Sequence, residues 1–103
     1  MSSPNGSVYQ VVLSGQVRDQ LKDLHRRAQD KGQGKRVVSA VKRILDHLRS
    51  EPLRFGEPRY TLHHLNVEMR HGAVEPVWVQ YAVHKQRRIV FIRNFMPLVG
   101  SAF

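Results

Sequence analysis

The sequence predicts an α+β domain in the order β-α-α-β-β-β, an antiparallel sheet packed on a two-helix hairpin. Three observations predict it. In residues 77–97, VWVQYAVHKQRRIVFIRNFMP, the residues Val77, Val79, Tyr81 and Val83 alternate with Trp78, Gln80, Ala82 and His84. A polar stretch then leads into a second β-branched and aromatic run, which gives a strand hairpin with two distinct faces. Upstream, two stretches of helical period flank Gly32 and Gly34, as an antiparallel helical hairpin requires. Finally, 103 residues at 41% hydrophobic composition suffice for one domain with one small core.

Residues 1–7, MSSPNGS, are small and polar and predict a flexible end with no secretory leader. Residues 8–98 form the domain, and residues 99–103 a C-terminal tail. VYQVVL at 8–13 reads as the first strand, followed by Ser14 as a helix N-cap. The first helix runs to about Lys31, with Val17, Leu21, Leu24 and Ala28 as its apolar stripe. The second runs from about Lys35 to Ser50 on a stripe of Val38, Val41, Leu45 and Leu48, widened by Val37 and Ile44, and Pro52 marks its end. LRFGEP at 53–58 reads as a loop. Tyr60 to Leu62 can open the next strand, but the alternation at 65–70 is the better-supported second strand, and His71-Gly72 reads as the turn after it.

Charge limits the function classes. Seventeen Lys and Arg against eight Asp and Glu give +9 and point to a polyanionic partner, nucleic acid or acidic protein. The cations are spread over the domain rather than gathered in a tail. The absence of cysteine removes disulfide and thiolate chemistry and fits a cytoplasmic protein. No apolar run approaches the roughly 18 residues of a membrane span. No Gly-rich phosphate loop, Ser-His-Asp set or carboxylate pair stands out, so neither a cofactor nor a small-molecule substrate is expected. No cysteine accompanies His63, His64 and His71 and the acidic residues nearby are few, so no metal site is expected.

VYQVVLS, the two-helix pattern ending in LRSEP, RYTLHHLNVEMR and VWVQYAVHKQRRIVFI together resemble the RelE/ParE-like toxin superfamily of type II toxin–antitoxin modules, over most of the chain. The resemblance implies a curved sheet with helices on one side and an open, positively charged face on the other. It also implies an acidic antitoxin as partner, and either ribosome-bound mRNA or gyrase as target. Ribonuclease members carry lysines on the second strand, an arginine early in the third, and basic and tyrosine residues after the last. Here Asn66, Glu68, Trp78, Pro97 and Leu98 stand at those places, and only Arg70 matches. Metal-independent endoribonuclease chemistry therefore stays open beside two alternatives: a non-catalytic member, and a general nucleic-acid-binding domain.

The candidate catalytic residues are Arg70, His71 and Arg93. His71 is of a type that titrates near neutrality and can move a proton, or it is a surface side chain beside a turn. Arg93 lies in an apolar strand, read as sharing a face with Ile89, Phe91 and Phe95. It either clamps a phosphate or covers the rings with its stem. Trp78, His84, Lys85, Arg87 and Arg88 are the candidate nucleic-acid contacts. Trp78 is a stacking platform if Val77, Val79, Tyr81 and Val83 face the helices, and a core anchor otherwise.

Overall fold

The computed structural model describes residues 8–101 and 103. The expectation for residues 1–7 lies outside them. The elements are β1 (Gln10–Leu13), α1 (Gly15–Asp30), α2 (Gly34–Ser50), β2 (Glu57–Leu62), β3 (Val67–Val74), β4 (Val77–His84) and β5 (Ile89–Pro97). They build one five-stranded sheet in the order β1-β5-β4-β3-β2. β1 runs parallel to β5, and every other pair is antiparallel. The helical hairpin carries the chain from β1 at one edge of the sheet to β2 at the other.

Ser14 caps α1 as its sequence position predicts, its hydroxyl accepting from the Val17 N–H at 3.2 Å. Val17, Leu24 and Ala28 form the buried face of α1. In α2 the buried face is Val37, Ala40, Ile44 and Leu48, while Val38 is exposed. The stripe is turned by about one residue from the expected one because Ala40, small enough to be overlooked as apolar, lies at its centre. Both helices pack on Val77, Val79, Tyr81, Val83, Val90 and Ile92, which are 0–3% exposed. Burying a side chain of this size stabilises the fold by roughly 1.5–3 kcal/mol.

Three local features differ from the sequence reading. First, the strand that Tyr60 to Leu62 could open is a separate edge strand, β2, and it starts at Glu57, inside the expected 53–58 loop; it tolerates Pro58 because its outer side needs no ladder bond. Second, β3 runs straight through His71-Gly72, and the chain reverses at Glu75-Pro76. Gly72 is needed there for space: a Cβ would come within 2.7 Å of the Phe55 ring. Gly56, with φ +69°, approaches the His71 carbonyl so closely that only glycine fits. Third, the tail folds back. The Ser101 hydroxyl donates to the Pro76 carbonyl at 3.3 Å, and Phe103 packs against the core.

Candidate functional site on the open sheet face

The helices cover one face of the sheet. No described element covers the other face, and the pairing register fixes its composition. One row crosses all five strands: Val12, Phe91, Ala82, Met69 and Tyr60. The next is polar, running Asn94, Gln80, His71 and Glu57. The third is Met96, Trp78 and Ala73. An apolar row, a polar row and an aromatic row thus lie side by side. Tyr60 is 54%, Met96 49% and Phe91 38% exposed, whereas Met69 and Ala82 sink into a small second cluster with Val67.

The polar row is ordered. The Asn94 amide donates to Gln80 Oε1 at 2.7 Å. Gln20 of α1 donates to Asn94 Oδ1 at 3.1 Å and accepts from the Phe95 N–H at 3.1 Å. This bond exists because β1 pairs only with residues 89–92, leaving the side of β5 away from β4 without a strand beyond them. His71 lies edge-on to Trp78, with ring centroids 6.0 Å apart, and its Nε2 is 3.6 Å from Glu57 Oε2.

The predicted site residues divide between the two faces. Trp78, His71 and His84 belong to the open face, half-buried. Arg70 does not. It shares the row of Tyr81 and Ile92, turned toward the core, and is 5% exposed. Its guanidinium donates to Glu68 at 3.2 Å, to the Phe55 and Gly56 carbonyls at 3.3 and 3.4 Å, and to the Tyr81 hydroxyl at 3.4 Å. Tyr81 in turn donates toward the Pro52 and Phe55 carbonyls, 2.9 and 2.5 Å away. Burial pushes the Tyr81 phenol above its ordinary range, an effect partly opposed by the neighbouring Arg70 charge. Phe55 stacks on His47, with centroids 4.7 Å apart. This network clamps the 52–56 loop over β3.

Arg93 differs from its expected setting. β4 and β5 slip register between the pairs Gln80–Asn94 and Tyr81–Ile92, so Arg93 is the extra residue of a bulge. The bulge sends Phe95 into the core, 4% exposed, while Ile89 and Phe91 stay on the open face. Arg93 itself is exposed and lines a cleft of about 370 Å³ with Phe91, Ser14 and Gln16, where β1 passes into α1. The three candidate catalytic residues therefore do not converge. Arg70 and His71 point to opposite faces of one strand, and β4 separates His71 from β5, on which Arg93 lies.

The basic turn forms a third location. His84 Nδ1 accepts from the Arg87 N–H at 3.2 Å, Lys85 pairs with Glu68 at 3.3 Å, and Arg87 and Arg88 are exposed. At about 3.3 Å per residue, His84 lies roughly 20 Å along β4 from Trp78. Sequence reasoning missed Tyr60, Met69, Asn94 and Gln20. Only the register brings Asn94 opposite Gln80, Met69 opposite Ala82 and Tyr60 opposite Met69, and Gln20 matters only because β1 is short.

A chain of the archaeal RelE–RelB complex from Pyrococcus horikoshii superposes on this protein with a TM-score of 0.62 at 17% identity, covering 91% of this chain and 99% of that one. The fold is RelE-like. No protein-family model matches the chain, and neither does any curated protein. Among the described residues no helix is long and apolar enough to cross a membrane, and no three His, Asp or Glu side chains gather as a metal site.

Proposed function

We propose that this protein is the toxin-fold member of a toxin–antitoxin pair, and that its open sheet face docks a segment of an acidic antitoxin. The patch of exposed Tyr60, Phe91 and Met96 on the open face, beside Trp78, carries this reading. It offers aromatic and Met anchors of the kind that dominate protein interfaces. Exposed cations stand around it: Arg59 on β2, Arg93 at the bulge, and Arg87 and Arg88 at the turn. They suit an acidic segment in charge, and the +9 total favours fast encounter with one. The RelE–RelB complex supports a protein partner by analogy of fold. The test is co-expression with a small acidic open reading frame adjoining the gene. Copurification that Phe91→Glu and Tyr60→Glu abolish supports the reading. Failure of any such product to bind, or unchanged binding by both variants, sinks it.

A second reading is action on mRNA at the ribosome, and the pairing of His71 with Trp78 favours it. A base stacked on Trp78 places its ribose near an imidazole able to move a proton. Arg70 is engaged elsewhere and Arg93 lies across β4 at the bulge, so this centre rests on His71 alone. Cleavage of message that His71→Ala abolishes supports it. Growth inhibition without cleavage, unaffected by His71→Ala, leaves the docking function alone and favours a non-catalytic target such as gyrase.

A further inference from the structure

The two faces of the molecule differ in chemistry. The sheet face is apolar and aromatic. The helical hairpin carries ten of the seventeen Lys and Arg, all between Arg18 and Arg49. Some are locally neutralised: Arg26 and Arg27 by Asp23, Arg36 by Glu75, and Arg49 by Asp46. Arg18, Lys22, Lys31, Lys35, Lys42 and Arg43 have no ion-pair partner among the described residues.

Several of these cations surround one feature. An open groove of about 670 Å³ lies at the hairpin tip, between His25 and Gln29 of α1 and Lys35, Ser39 and Lys42 of α2. No Asp or Glu lines it. Helical periodicity extends its α1 wall, since Lys22 and Arg18 lie one and two turns before His25. On the α2 wall, Lys35 and Lys42 stand two turns apart, roughly 10 Å. The groove has one exposed apolar side chain, Val38, so it lacks the anchors a protein partner needs. Between the cations stand neutral hydrogen-bonding groups: Gln29, Ser39 and His25.

We infer that this groove is a docking surface for the backbone of an RNA duplex, separate from the sheet face. The cations meet phosphates, and the interleaved amide, hydroxyl and imidazole meet ribose 2′-hydroxyls. The contacts position the molecule on RNA without reading sequence. The inference does not depend on what the sheet face binds.

The experiment uses the full chain and a fluorescein-labelled 16-base-pair RNA duplex, with anisotropy followed from 50 to 200 mM salt. The wild type binds with an affinity that falls steeply with salt. The Lys22→Gln/Lys35→Gln/Lys42→Gln variant, whose changes are all exposed and leave the thermal melt unchanged, binds more weakly. Its log–log salt slope is shallower by about 2–3, near one counterion per lost phosphate contact. An unchanged slope in the triple variant overturns the inference. So does equally tight binding of a DNA duplex of the same sequence, or displacement of the RNA by polyglutamate at equal charge concentration.

Discussion

Arg70 is the residue at which family resemblance and local geometry diverge most, and its replacement distinguishes them. Arg70→Ala deletes the donor to Glu68, Tyr81 and two loop carbonyls. Removing one partner of a buried ion pair costs about 3–5 kcal/mol, much of it from the partner left behind. Glu68 is 16% exposed and keeps Lys85 at 3.3 Å, which puts the cost near the lower end, about 3 kcal/mol. For a domain of this size that lowers Tm by about 12 °C or more. Arg70→Lys keeps the charge but not the fork reaching both carbonyls, so it recovers only part of the loss. Thermal and urea unfolding followed by circular dichroism measure all three proteins. An Arg70→Ala protein as stable as the wild type, yet defective in partner binding or RNA cleavage, refutes the structural assignment and returns Arg70 to a functional site.

Three further outcomes follow from the same geometry. The Tyr81 phenol is held neutral by burial, so above about pH 10 the unfolded chain loses that proton before the folded one does. The unfolded state then binds fewer protons, and stability falls as pH rises from about 10 toward the raised folded value. Tm against pH shows this alkaline decline, and Tyr81→Phe flattens it. Gly72→Ala drives a methyl into the Phe55 ring, itself pinned between His47 and Tyr81, and costs about 1–3 kcal/mol in urea unfolding. Gln20→Ala frees the Phe95 amide; hydrogen exchange at that amide accelerates, and stability drops by about 1 kcal/mol.

The fold was legible where local pattern and global packing agree. Ser14 caps α1 as read, and the structure uses the faces that the α1 stripe and the alternation of 77–83 specify, while the α2 face is turned by about one residue. β2 was obscured because edge strands relax the rules a sequence reading relies on, and Pro58 and a bulge are permitted there. The open face was half legible. Alternation put Trp78, Gln80 and His84 outside once the valines faced the helices. Arg70 and Arg93 were misplaced for one reason: position on a strand depends on register, and strand period alone cannot supply it. β3 begins at Val67 and passes through His71, which turns Arg70 inward, and one bulge at Arg93 reverses the facing of everything after it.

The central claim, that the open sheet face is where an acidic partner docks, has a built-in reporter. Trp78 is the one tryptophan of the chain and stands on that face, half-buried beside His71 and Met96. Its fluorescence is read while the copurifying acidic partner, or a tryptophan-free version of it, is titrated in, with stoichiometry fixed by calorimetry. Docking on the sheet predicts a blue shift and protection from acrylamide quenching that saturate at the calorimetric end point. Stoichiometric binding with unchanged Trp78 emission and unchanged quenching contradicts the claim and moves the interface to another surface.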